Sequence, residues 1–199
     1  MDDDVIKSAR EIALEKIEKL GQATEEERLS WKYLPLGEAL AARYLKDDSN
    51  LLGELSQYQE NVKKYVIRGA VEVLLKNIEL PKNEAARKKN KKTMDGLKLL
   101  KNDKVAVENI YSKMRYLFTH YDEQGEQQRQ QAYRSLKAQL EERIQQAVQK
   151  QLGTTAGAGK IDVEKQPQFQ QEWRKVQAQL DTAYLVHLHD YKKELAAIG

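Results

Sequence analysis

The sequence contains no cysteine, which excludes a disulfide framework, a thiolate nucleophile and cysteine-based metal sites. Its 199 residues include 3 prolines and 10 glycines, so few turns are expected. No run of 18 apolar residues occurs, and we therefore predict no transmembrane helix. The first residues, Met1 and three aspartates, lack the basic start and apolar run of a secretory signal. We expect a cytoplasmic protein.

What remains is a polar, strongly charged chain with a helical pattern. Charged residues make up 33% of it, above the roughly 25% of an average globular protein, as expected when much of the chain is helix surface. Apolar residues recur at spacings of three and four over most of the sequence. This pattern predicts an all-α fold. The net charge of +3 does not by itself indicate a polyanionic partner.

Residues 1–80 are predicted to form an N-terminal helical cluster. Its first helix runs from about 3 to 20. Thr24 with Glu27 has the spacing of a capping box and predicts the start of the next helix. Because proline disfavours helix in the residue before it, we expect that helix to break just before Pro35.

A further helix is predicted from about Leu51 to Leu80, after a loop over 47–50 that ends in a cap. Gly69 interrupts its apolar stripe. That glycine is either a contact between two closely packed helices or a weak point in the helix.

Residues 81–104 are predicted to form a basic connector. They include nine basic and three acidic residues, a net charge of +6 where the rest of the chain has −3. We predict a short basic helix here, with a break near Gly96 and a loop at Asn102 and Asp103. The densest part supplies five candidate phosphate-contacting residues: Arg87, Lys88, Lys89, Lys91 and Lys92. The alternative is a solvated basic helix that compensates acidic neighbours, and no aromatic residue lies in the run to stack on a base.

Residues 105–199 are predicted to form a long antiparallel helical hairpin. The second helix carries apolar residues at the 4, 3, 4, 3 spacing of a coiled-coil seam, which are Phe169, Trp173, Val176, Leu180 and Ala183. Folding the chain at the middle of its glycine-rich connection pairs residue i with residue 315 − i. Trp173 is then expected near Glu142, and Tyr191 near Gly125, where the glycine makes room for the ring or marks a hinge.

Aromatic residues on the hairpin are candidates for an interface, because tyrosine is enriched where proteins meet. The sequence has ten tyrosines and two phenylalanines. The candidates are Tyr133, Trp173, Tyr184 and Tyr191. The alternative is a thin core whose rings reach solvent with their hydroxyl groups. Two helices bury each apolar stripe on one neighbour, so a homodimer or another helical protein is the expected partner.

Catalytic and cofactor motifs are weak in this sequence. The stretch Gly153–Lys160 differs from a phosphate-binding loop, because Thr154 replaces the first glycine and Ile161 follows the lysine. His187 and His189 are two residues apart, which on a helix turns the rings to different sides. We predict no enzyme, no cofactor and no metal site.

Three stretches, Glu38–Leu45, Glu123–Tyr133 and Gln166–Trp173, resemble an uncharacterised bacterial all-helical family of unknown function. The resemblance implies no active residue. The functional prediction is therefore a non-enzymatic interaction or scaffold protein that acts through its hairpin, the alternative being an accessory nucleic-acid-binding protein that uses the basic connector.

Overall fold

The computed structural model describes residues 21, 23–152 and 162–199. In this part of the chain it contains six α-helices and no strand, which confirms the all-α prediction. We number the helices α1 (Glu25–Asp47), α2 (Leu51–Leu55), α3 (Glu60–Lys76), α4 (Glu84–Leu100), α5 (Lys104–Leu152) and α6 (Pro167–Ala197), with a short 3-10 turn at Val163–Lys165 before α6. None of the described helices is both long and apolar enough to cross a membrane. The predicted first helix and the glycine-rich stretch 153–160 lie outside the described residues.

The helix starts follow local chemistry. The Thr24 hydroxyl accepts from the Glu27 backbone N–H while the Glu27 carboxylate accepts from the Thr24 N–H, so the predicted capping box is confirmed. Asn50 caps α2 and Asp103 caps α5, each by accepting a hydrogen bond from a backbone N–H in the first turn of its helix. Asp48, which ends α1, is in the left-handed conformation with φ 54°.

Helix α1 continues through Pro35, so the predicted break is wrong. The proline removes one backbone hydrogen bond, but tertiary packing holds the helix on both sides of it. α1 and α3 approach at two glycines. A Cβ on Gly69 would lie 2.1 Å from the Leu34 carbonyl oxygen, and one on Gly37 would lie 1.9 Å from the Val66 carbonyl oxygen. Gly69 is therefore a close helix-packing contact.

Two other predicted helix boundaries need correction. The single helix predicted over Leu51–Leu80 is two helices, α2 and α3, separated by residues 56–59. The break predicted near Gly96 is absent from α4, where the glycine instead accommodates the ring of Tyr44. The loop predicted at Asn102 and Asp103 is confirmed.

The chain divides into two compact units, neither of which is continuous in sequence. Unit 1 comprises the residues up to Ile78 together with Lys91–Lys101, and unit 2 comprises Glu79–Asn90 together with Asn102–Gly199. The three predicted segments, 1–80, 81–104 and 105–199, divide the chain differently and stay a prediction.

Unit 1 has its core where α1, α3 and the second half of α4 meet. Fully buried residues there include Leu40, Val66, Leu74 and Leu97. The Lys92 ammonium donates to the Leu45 carbonyl at 2.8 Å and lies 2.5 Å from the Asp48 carboxylate. This lysine satisfies one of the free carbonyls at the end of α1, which is also where a cation is favoured.

Unit 2 is built on α5 and α6. Their contacts run antiparallel, because Lys113 binds Glu194, Tyr121 binds Asp181 and Tyr133 contacts Phe169. The paired residue numbers sum to between 301 and 307 for these and the Lys137–Glu164 contact.

The predicted pairing of i with 315 − i is therefore wrong by 8 to 14 residues, or about three helical turns. Trp173 contacts Tyr133 rather than Glu142, and Gly125 faces Tyr184 rather than Tyr191. The register follows the apolar cluster of Leu140, Val163 and Phe169 and not the midpoint of the connection.

Candidate binding groove on helices α5 and α6

A groove of about 840 Å³ runs along one side of the α5–α6 pair in unit 2. We call it the α5–α6 groove. Residues 81–87 form a third wall at one end. The lining residues are Pro81, Lys82, Arg87, Tyr121, Asp122, Glu126, Arg129, Gln130, Tyr133, Arg134, Trp173, Arg174, Gln177, Ala178 and Asp181. Its volume lies in the range of roughly 300–1,000 Å³ that is usual for ligand sites.

Helical periodicity brings these side chains to one side. On α6 the lining residues Arg174, Gln177, Ala178 and Asp181 recur at spacings of three and four, which places them along one stripe. The α5 residues from Asp122 to Arg134 recur in the same way. The groove is therefore a product of two stripes on antiparallel helices.

A buried carboxylate forms the floor of the groove. The side chain of Asp181 is 6% exposed, accepts a hydrogen bond of 3.1 Å from the Tyr121 hydroxyl and lies 2.6 Å from the Lys82 ammonium. Burial, followed by the charge of Asp181, raises the pKa of Tyr121 to about 12. The tyrosine is therefore neutral and donates to the carboxylate at physiological pH.

Arg129 covers Tyr121 from the side of α5. Its guanidinium carbon lies 4.2 Å from the centre of the tyrosine ring. Its Nη2 donates to the Tyr121 carbonyl at 3.2 Å, and Nη2 and Nε both donate to the Glu126 carboxylate. Such a stacked, hydrogen-bonded arginine is held in one position.

An aromatic pair lies at the other end of the groove. The rings of Tyr133 and Trp173 are 5.1 Å apart and nearly perpendicular, and Tyr133 makes the same kind of contact with Phe169 at 5.2 Å. Phe169 is buried with Leu140 and Val163, so the pair rests on a small apolar core. Tyr133 and Trp173 themselves are half-buried, which leaves part of each ring open to the groove.

Positive charge exceeds negative charge among the residues that line the groove. Of the lining residues that the structure describes, three are carboxylates, and each is paired: Asp122 with Arg87, Glu126 with Arg129 and Asp181 with Lys82. Two further lining arginines, Arg134 and Arg174, are exposed and form no ion pair with any described residue. The aromatic end of the groove therefore has an excess of positive charge.

The four predicted interface residues lie in different places. Tyr133 and Trp173 come together in the groove. Tyr184 is 8% exposed and lies inside the α5–α6 seam, with its hydroxyl 3.0 Å from His120 Nδ1. Tyr191 is half-buried under the Lys113 ammonium, which lies 5.8 Å from the ring centre.

Most of the predicted phosphate-contacting residues have acidic neighbours. Arg87 pairs with Asp122 at 3.0 Å, and Lys88 and Lys89 lie 3.9 and 3.5 Å from glutamates. Lys92 is held by Asp48. Lys91 is exposed and forms no ion pair with a described residue. Asp122, through its hydrogen bonds and its charge, raises the pKa of Arg87.

Sequence reasoning missed most of the groove. Lys82 and Asp181 are far apart in the chain, and no short motif joins them. The helical period does give a signal for Asp181. It lies three residues before Tyr184, and therefore on the same buried face as Tyr184, Leu188 and Leu195. Among the described residues, no group of three or more histidines and carboxylates is placed to hold a metal ion.

The model of a family of unknown function, DUF6657, matches residues 52–197 of this chain. The matched range includes all residues that line the α5–α6 groove. No curated protein and no solved structure matches the chain.

Proposed function

We propose that this chain, which belongs to the DUF6657 family of unknown function, is a non-enzymatic binding protein that recognises a negatively charged group of its partner in the α5–α6 groove. The observation that carries the proposal is the pair Arg134 and Arg174, two exposed guanidinium groups in a groove whose described carboxylates are all neutralised by other cations. An anion that enters the groove therefore gains two charged hydrogen-bond donors.

The residue types of the groove support an interaction function. Arginine, tyrosine and tryptophan carry much of the binding energy in protein interfaces, and the groove has all three side by side. The half-buried rings of Tyr133 and Trp173 are already fixed by their contact with each other, so their ordering costs little on binding. The expected partner is another protein, and a second copy of this chain is one such partner.

A pentaglutamate peptide tests the proposal. We expect it to bind the intact protein in isothermal titration calorimetry at low salt, with an affinity that falls as salt is added. The double variant Arg134→Gln/Arg174→Gln is expected to lose the binding. Arg143→Gln is the matched control, because Arg143 is exposed on the same helix but lines a different depression.

Two results would contradict the proposal. One is that neither pentaglutamate nor any other anionic probe binds the intact protein at low salt. The other is equal affinity of the double variant and the intact protein. Light scattering over a hundredfold range of protein concentration tests the homodimer, which a strict monomer at the highest concentration contradicts.

The alternative function, accessory nucleic-acid binding by the basic connector, stays a prediction. The acidic neighbours of Arg87, Lys89 and Lys92 compete with phosphates for these cations, so we expect weaker binding than their number implies. A duplex DNA titration at low salt, compared with a variant in which all five basic residues are glutamine, tests it.

A further inference from the structure

We infer that the anionic group bound in the α5–α6 groove is a phosphate ester attached to an aromatic ring. This inference rests on the proposed function and names the chemistry of its ligand. It follows from three properties of the groove: the amount of uncompensated charge, the positions of the two arginines, and the aromatic pair between them.

The uncompensated charge matches one phosphate monoester. Arg134 and Arg174 supply two positive charges without a described ion partner. A phosphate monoester carries a charge of about −1.5 to −2 at neutral pH and presents three acceptor oxygens. Each guanidinium offers a fork of donors that fits two such oxygens. A single carboxylate supplies half of that charge.

The two arginines lie on the same side of the helix pair. Tyr133 and Trp173 face each other across the seam, and each is followed directly by an arginine. On two antiparallel right-handed helices, a step of one residue turns both chains toward the same side. Both arginines accordingly line the same groove.

The aromatic pair supplies a surface for a planar ring. Tyr133 and Trp173 are perpendicular to each other at 84°, so they present different faces to the groove, and both are half-buried. Stacking of a planar ring on such side chains is favourable and tolerates different rings, because every ring has a π-face. A ligand that contacts the arginines through its phosphate therefore gains further affinity when its phosphate is attached to a ring.

The natural source of this chemistry is a phosphorylated tyrosine side chain of a partner protein. A free mononucleotide differs, because its phosphate is attached to ribose and not to the aromatic base. Phenyl phosphate is the minimal probe for the phosphorylated tyrosine. Inorganic phosphate lacks the ring, and phenylacetate replaces the phosphate by a carboxylate, so each probe removes one of the two features.

The experiment uses the full chain with Trp31→Phe, which leaves Trp173 as its sole tryptophan. Trp31 is 50% exposed and belongs to unit 1, so its replacement leaves the groove intact. We expect phenyl phosphate to change the Trp173 fluorescence and to bind at least tenfold more tightly than inorganic phosphate or phenylacetate. Arg134→Gln and Arg174→Gln are each expected to weaken it about tenfold or more, as loss of a charged hydrogen bond does, while Arg143→Gln leaves it unchanged.

The outcomes separate this inference from the proposed function. If pentaglutamate binds and phenyl phosphate binds no better than phenylacetate, the phosphate inference is wrong and the proposed function stands. Equal affinity for phenyl phosphate and inorganic phosphate overturns the role of the ring. If no anion binds, both are wrong. Where phenyl phosphate does bind, a phosphotyrosine peptide is compared with adenosine monophosphate, and tighter binding of adenosine monophosphate overturns the assignment to a tyrosine phosphate.

Discussion

Tyr121 on α5 donates a hydrogen bond to the buried carboxylate of Asp181 on α6, and the two atoms are 3.1 Å apart. The same carboxylate is neutralised by Lys82, so three distant parts of the chain meet at one charge. A buried carboxylate is tolerated when its charge and its acceptor positions are both satisfied. This contact holds α5 and α6 together at one end of the α5–α6 groove. Because Tyr121 is its donor, its contribution to stability depends on pH in the alkaline range.

The raised pKa of Tyr121 predicts a loss of stability at high pH. Between pH 10 and about 12 the unfolded chain releases this proton while the folded chain keeps it, so the free energy of unfolding falls as pH rises. A shift of this size corresponds to about 3 kcal/mol over the interval. We expect Tyr121→Phe to have a shallower fall in urea denaturation at pH 9, 10 and 11. Tyr116→Phe, at a ring that is 74% exposed, is the control, and equal slopes for Tyr121→Phe and the intact protein would contradict the prediction.

The buried side chain of Asn90 is predicted to contribute strongly to the stability of unit 2. Its side-chain amide accepts from the Glu79 N–H at 2.9 Å and donates to the Glu79 carbonyl at 2.7 Å, and the residue is 3% exposed. Asn90→Ala leaves two backbone groups without partners and is expected to lower the free energy of unfolding by about 2–4 kcal/mol.

Asn83→Ala is the matched control for Asn90→Ala. Asn83 caps α4 from an exposed position, and its loss is expected to cost about 1 kcal/mol. Chemical denaturation of both variants gives the comparison. If both variants lose the same free energy of unfolding, water takes over the hydrogen bonds that the Asn90 amide makes.

A glycine is predicted to be required at position 125 because the Tyr184 side chain packs closely against it. A Cβ at this position would lie 3.1 Å from the Tyr184 hydroxyl oxygen, which is held by His120. Alanine gains about 1 kcal/mol in helix propensity, but crowding of a fixed buried ring costs about 1–3 kcal/mol. We expect Gly125→Ala to lower the melting temperature of the intact protein, and to lower it less in Tyr184→Phe, which lacks the hydroxyl but keeps Nη1 of Arg129 at 3.1 Å from the added Cβ. A rise in both backgrounds would show that Tyr184 moves aside.

Gly69, like Gly37, is predicted to be hard to replace in unit 1. The methyl group of an alanine at position 69 would clash with the backbone carbonyl of Leu34. A backbone atom cannot move away by changing a side-chain rotamer. Gly69→Ala is expected to cost about 3 kcal/mol or more. Gly21→Ala, whose Cβ would meet nothing within 4 Å, is the comparison. Circular dichroism melting of both variants decides, and similar melting temperatures would contradict the close approach of α1 and α3.

Features that depend on a few neighbouring residues were predictable. The all-α class follows from the spacing of apolar residues, and the capping box of Thr24 and Glu27 from four consecutive residues. Pro35 shows the limit of such reasoning. The local rule predicts a break, but the contacts at Gly37 and Gly69, made with a helix distant in sequence, keep α1 continuous.

The groove depends on the register between α5 and α6, which local patterns do not determine. Tyr133 and Trp173 are interface candidates by residue type, but the predicted pairing misses their mutual contact because it is shifted by about three turns. Arg134 and Arg174 carry no sequence signal at all. Their importance comes from the pairing of the other charges around them.

The division of α4 between the two units has a consequence for inheritance. The chain passes from one unit to the other after Ile78, after Asn90 and after Lys101, so each unit is assembled from separated stretches of the gene. A recombination event at any one of these points transmits part of a unit and leaves the remainder behind. Exchange of either unit as a module requires three coordinated breakpoints, and we expect the two units to be duplicated, lost and retained together.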